Sequence, residues 1–80
     1  MSSQNYSFRY DKANDVLYLS VGPPRPSYGE DLRDGIVARY DMDTDEMTGV
    51  TVLGFKRRVL SKDPSLLDIP MSFDFHSVPL

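Results

Sequence analysis

Eighty residues bound the chain to one domain, and a domain of that size buries only roughly 60% of the surface its unfolded form exposes. There is no cysteine and one histidine, His76, which excludes disulfides, thiolate metal sites and multi-histidine metal sites. The net charge of −3, from 9 basic and 12 acidic residues, has the wrong sign for a general nucleic-acid binder.

Small domains usually supplement their core with a disulfide, a metal or a partner chain. With the first two unsupported, a homo-oligomer or a small protein partner is the expected supplement. A self-sufficient monomeric core is the alternative. No apolar run approaches the roughly 20 residues that cross a bilayer. Met1–Asn5 has neither the basic flank nor the apolar stretch of a signal peptide, so a soluble cytoplasmic protein is the expectation.

In chain order, Ser7-Phe8-Arg9-Tyr10 alternates with period two and predicts a strand. Lys12-Ala13-Asn14-Asp15 supplies a turn, because Asn and Asp bond nearby backbone and tolerate left-handed geometry. Val16–Val21 predicts a second strand, apolar enough to be covered on much of both faces. Gly22-Pro23-Pro24-Arg25-Pro26 ends it, since proline lacks the N–H a ladder needs. Ser27–Leu32 is a weak, polar strand suited to a sheet edge. Asp34-Gly35 is a strong hairpin signal, and Ile36–Tyr40 follows as a strand. A polar turn over 41–48 leads to Gly49–Phe55, rich in β-branched residues.

The last third reads differently. Lys56–Leu60 predicts a helical turn leaving the sheet. Asp63 before Pro64 is a capping residue followed by proline at the first helical position, so a short helix is predicted there. Leu66, Leu67 and Ile69 would cover one sheet face. Met71, Phe73 and Phe75 alternate with Ser72, Asp74 and His76, which predicts a sixth strand or a tail that becomes one on a partner. The predicted fold class is α+β: an antiparallel β-meander of about five strands with one short helix and a C-terminal extended segment. Residues 6–60 form the sheet domain, and 61–80 form a short helix and extended tail packed on it.

These residues resemble a known family. Tyr10-Asp11, Asn14-Asp15-Val16-Leu17-Tyr18-Leu19, Glu30, Asp34-Gly35-Ile36-Val37, Tyr40-Asp41 and Thr48–Leu53 resemble the small bacterial domain of unknown function numbered 2283 (DUF2283). The resemblance spans roughly residues 6–60. It implies a compact sheet with a short helix and no established enzymatic role. Some members are encoded beside small toxin-like proteins, which implies an antitoxin-like or partner-binding role. The chain departs from the pattern at Asp45-Glu46-Met47, a longer turn without the usual glycine, and segment 61–80 has no family counterpart.

Several residue sets invite a chemical reading. Asp41, Asp43 and Asp45 mimic the start of a calcium loop, but positions six and twelve of such a loop fall on Glu46 and Val52 rather than glycine and a carboxylate. Asp11, Asp15 and Asp34 all sit at turns, where carboxylates bond local amides, and no nucleophile or phosphate loop accompanies them. Ser72, Asp74 and His76 have triad letters, but adjacent outward residues on one strand cannot assemble a triad. No cofactor is implied and no enzyme is expected. Lys56, Arg57, Arg58 and Lys62 form a basic cluster suited to anion contact. Tyr6, Phe8, Tyr10, Tyr18, Tyr28 and Tyr40 place aromatics on strands, where they could stack bases or form core. Met71, Phe73 and Phe75 are the candidate partner interface, able to complete the sheet in cis or exchange with a second subunit. The expected function is non-enzymatic protein–protein interaction. The alternative is a small ligand- or nucleic-acid-binding module using the strand aromatics and the basic run 56–62.

Overall fold

The computed structural model describes residues 6–71 and 73–80. Five strands form one antiparallel sheet: β1 (Tyr6–Asp11), β2 (Val16–Val21), β3 (Ser27–Arg33), β4 (Ile36–Asp41) and β5 (Met47–Leu53). A single α-helix, α1 (Phe55–Leu60), and two 3-10 turns, Pro64–Asp68 and Phe75–Ser77, follow.

The strand order is β1-β2-β5-β4-β3, so the sheet is antiparallel but is not the simple meander expected from the short loops. β5 inserts between β2 and β4, and β3 is carried to the far edge. Burial explains the insertion. Val50 and Val52 are fully buried, so β5 needs a strand on each side. β3 is mostly exposed and polar, which suits an edge. The 22–26 connector must therefore cross three strand spacings, about 14 Å at roughly 4.8 Å each. Five residues extended at roughly 3.1 Å apiece can do this, and a proline-rich segment is already stiff in that conformation. The prolines thus act as a strap over the end of the sheet as well as a strand terminator. The strap is tied down by the Met42 amide donating to the Pro26 carbonyl at 3.1 Å and by Arg25, 3.2 Å from both Asp41 and Glu46.

Pairing registers assign the two faces. Leu17 opposes Val52, Leu19 opposes Val50, and Ile36 and Ala38 oppose the same two valines from the other side. All six are fully buried. Onto this face pack Phe55, Leu66 and Val78, with Val59, Ile69, Met71, Phe73 and Phe75 around them. The 3-10 turn at 64–68 is capped by Asp63, whose carboxylate accepts from the Ser65 amide, as the Asp-Pro pair predicts. Its three-residue period turns Leu66 and Ile69 inward and leaves Leu67 83% exposed, so Leu67 does not cover the sheet as expected.

The predicted sixth strand is absent among the described residues. Met71, Phe73 and Phe75 instead pack in cis. Phe73 meets Phe8 of β1 edge-on at 5.5 Å, and Phe75 lies 5.6 Å from Phe55. Asp74 stops any extended run, because its carboxylate accepts from the His76 amide and nucleates the second 3-10 turn. A hydrophobic core on one side of the sheet outcompetes an isolated edge strand for these aromatics.

Candidate functional site

The turn between Tyr10 and Asp15 builds a clamp. Asp15 sits at φ +56°, a left-handed position that Asp tolerates. That conformation turns both its carbonyl and its carboxylate toward the start of α1. The carbonyl accepts from the Gly54 and Phe55 amides at 2.8 and 3.1 Å. The carboxylate accepts from the Lys56 and Arg57 amides at 2.7 and 3.3 Å. Four amides at the helix start, normally left unpaired, are thus satisfied by one residue 40 positions earlier. The Tyr10 hydroxyl donates to the same carboxylate at 2.6 Å. Desolvation opposes ionisation of Asp15, but Tyr10, the two amides and the Arg57 charge outweigh it and hold the carboxyl below its ordinary range. In return, the hydrogen bond to Asp15, with desolvation and the carboxylate charge, pushes Tyr10 up to about 12.

The basic run does not act as a unit. Arg58 is buried at 5% exposure. Its Nε donates to the Leu53 carbonyl at 2.7 Å, its Nη2 to the Asp34 carbonyl at 2.5 Å, and its Nη1 to Asp63 at 2.9 Å and Ser65 at 3.2 Å. It stitches the 34–35 hairpin, α1 and the first 3-10 turn together, and four of its five N–H groups are spent on these internal bonds, so it is not an exposed anion contact. Gly35 belongs to this stitch: at φ +78°, a Cβ there would also run into the Arg58 guanidinium. Lys56, Arg57 and Lys62 stay exposed.

The other candidate groups are absorbed locally. Asp11 accepts from the Asn14 amide and side chain, which hold its carboxyl low. Asp41 accepts from the Asp43 and Thr44 amides, and these bonds, with Arg25, hold its carboxyl low too. The Asp41–Asp45 turn is thereby folded inward on its own amides, and the described residues contain no group of three or more metal-ligating side chains. Of the Ser72, Asp74 and His76 set, Ser72 lies outside the described residues. The aromatics divide: Tyr6, Phe8 and Tyr10 pair in register with Val21, Leu19 and Leu17 and share the core side, as do Tyr28 and Tyr40. Tyr18 alone is on the opposite face.

Among the described residues, that opposite face carries no helix or tail. Its central row, read across the strands in register, is Arg9, Tyr18, Thr51, Val37, Asp31. Val16 and Leu53 oppose each other beside it, Leu53 at 46% exposure. Arg9 lies over the Tyr18 ring at 4.4 Å. The next row is Ser7, Ser20, Gly49, Arg39, Gly29. Here Arg39 reaches across Gly49 and donates from Nη2 to the Leu19 carbonyl at 2.7 Å. Gly49 is required for this crossing, because a Cβ would run into that nitrogen and the Leu19 oxygen. In the sequence, Arg9, Arg25, Asp31 and Arg39 stand out only as members of strands and turns. Their placement depends on the β5 insertion, which residue pattern did not reveal.

Among known proteins, no curated protein and no solved structure matches the chain. Residues 7–56 match the family described as a protein of unknown function (DUF2283). The match runs from β1 to the Lys56 amide held by Asp15, covers every strand and leaves out the tail. The chain belongs to the DUF2283 family.

Proposed function

We propose that this chain is a non-enzymatic association module whose partner is a second copy of itself, joined through the open faces of the two sheets. One observation carries the reading: the open face has an apolar centre, Tyr18, Val37 and Leu53, flanked by opposite charges at opposite ends of one row, Arg9 on β1 and Asp31 on β3. A two-fold axis parallel to the strands, between two facing sheets, lays β5 over β5 and β1 over β3. It sets Arg9 of one copy against Asp31 of the other, twice, and Tyr18 against Val37. Aligned sheets packed about 10 Å apart interdigitate such side chains. Neither Arg9 nor Asp31 has an ion-pair partner among the described residues of its own chain. Self-complementarity of one patch is what a two-fold interface demands.

Light scattering on a sizing column tests this. The expected result is a dimer that Arg9→Asp or Asp31→Arg weakens and that the double swap restores. A monomer at micromolar concentration, or single swaps without effect, refutes the reading.

A further inference from the structure

We propose that the hollow beneath the 22–26 strap binds the carboxylate of a small molecule, with Arg39 as the charge that receives it. The proposal goes beyond the association reading and does not rest on it, since every residue involved belongs to one chain.

The hollow has a volume of about 190 Å³ and a polar lining that includes Arg25, Arg39, Ser7, Ser20, Ser27 and Thr48. At roughly 30 Å³ per water, that is room for about six waters, or a carboxylate carrying a few carbons. Its two arginines differ in charge balance. Arg25 is 3.2 Å from both Asp41 and Glu46 and is neutralised by them. Arg39 has no carboxylate partner among the described residues, and its one hydrogen bond goes to the neutral Leu19 carbonyl. Its Nε is buried with no hydrogen-bond partner. A half-buried guanidinium in that state is costly unless an anion joins it.

The surrounding groups complete a receptor. Ser7 and Ser20 stand side by side in register on β1 and β2, in the row that Arg39 crosses. Neither hydroxyl has a partner among the described residues, so both can donate to an oxyanion. Ser27 and Thr48 are bonded to each other at 2.8 Å and form a fixed polar wall. The strap closes the remaining side. Asp41 and Glu46 more than cancel Arg25, so the positive charge left unpaired in the lining is that of Arg39 alone, which suits a monoanion. A doubly charged phosphate would be repelled by the same two acids. Arginine binds carboxylates through paired N–H groups, and Arg39 has Nη1 and one Nη2 hydrogen left for that geometry.

The test is thermal unfolding of the full chain in sodium acetate, with sodium chloride at equal ionic strength as control and sodium phosphate as a second arm. Acetate should raise the melting temperature with the logarithm of its concentration above the dissociation constant, by roughly 6–11 °C at tenfold excess. Phosphate should do less. Arg39→Gln should abolish the acetate effect. Ser20→Ala, which removes one surface hydroxyl and leaves the fold intact, should weaken apparent affinity several-fold, and Arg57→Gln should change nothing. Amide resonances of Ser20 and Gly49 should shift with acetate in the wild type. Repeating the titration on Asp31→Arg separates this site from association: the acetate shift should persist in the monomer. No shift beyond the chloride control, an equal shift with Arg39→Gln, or a stronger response to phosphate overturns the proposal.

Discussion

Substituting Asp15 three ways separates the clamp's two ingredients, the carboxylate and the left-handed backbone. Asp15→Asn keeps a side-chain oxygen for Tyr10 and the Lys56 amide and keeps tolerance of φ +56°, but removes the charge. Charge-assisted hydrogen bonds are roughly twice as strong as neutral ones, so the loss at neutral pH should be about 1 kcal/mol. For a domain of this size that is about 4–8 °C in melting temperature. Asp15→Gly fits the backbone but removes the cap altogether, a loss of about 1–2 kcal/mol. Asp15→Ala removes the cap and also leaves in the left-handed region a residue with a Cβ but without the polar side chain that eases Asp there, adding about 1–2 kcal/mol. The predicted order of melting temperature is wild type, Asn, Gly, Ala, measured by circular dichroism or calorimetry. Equal values for the Gly and Ala variants would show that the backbone conformation contributes nothing. An Ala variant as stable as the wild type would refute the clamp itself.

The same carboxylate gives a pH signature with a definite sign. Its folded pKa is depressed, so its contribution is complete above the unfolded value, near 4, and is lost as pH falls through the still lower folded value. The melting-temperature gap between wild type and Asp15→Asn should therefore be constant from neutral pH to about 5 and close below about 4. Tyr10 has the opposite sign. Its folded pKa is raised to about 12, so its contribution is complete below about 10 and is lost as pH rises from there toward 12. Tyr10→Phe should lack that alkaline loss. A gap that widens in acid would contradict the hydrogen-bond geometry at Asp15.

Three further outcomes follow from the packing. Arg58→Met leaves Asp63 without its buried partner and three acceptors without a donor, and should cost about 3–5 kcal/mol, read from the urea midpoint. Gly49→Ala should expel Arg39 from its crossing and destabilise by about 1–3 kcal/mol, whereas the double variant Gly49→Ala with Arg39→Ser should recover part of the loss, a coupling that a double-mutant cycle measures. Phe73→Ala should loosen the tail against β1 and raise amide exchange in Tyr6–Asp11 and 73–80 before exchange rises in β5.

Strand positions, the capping Asp63 and the polar edge at Ser27–Arg33 were legible from period, turn chemistry and proline placement, because those signals act within a few residues. The strand order was not legible. Whether β5 lies beside β4 alone or also beside β2 depends on which arrangement buries Val50 and Val52 on both sides, a comparison between distant segments that no local pattern encodes. The tail failed for a related reason: Met71, Phe73 and Phe75 alternate like a strand, but aromatic packing on Phe8 and Phe55 and the turn at Asp74 decide their conformation. Arg58 looked like part of a basic cluster for anion contact because charge runs carry no mark of burial. The one sequence hint was Gly35, which leaves the space its guanidinium fills.

The residues of the clamp and those proposed to bind something occupy different parts of the same sheet. Tyr10, Asp15 and Gly35 act on the covered side and at the sheet's end, joining the β1–β2 and β3–β4 hairpins to α1, and the family match reaching Lys56 includes three of the four amides that the clamp satisfies. Gly49 is the exception that links the two regions. It lies within the matched strand, yet its missing side chain serves Arg39 on the open face. A glycine kept there for the fold alone would be hard to explain, since glycine weakens a central strand by roughly 0.5–1 kcal/mol relative to alanine. The arginine laid across it explains why the strand bears that cost. The open face and the hollow that Arg39 lines thus share β5 with the core, while the residues after Lys56 complete the core on the other side.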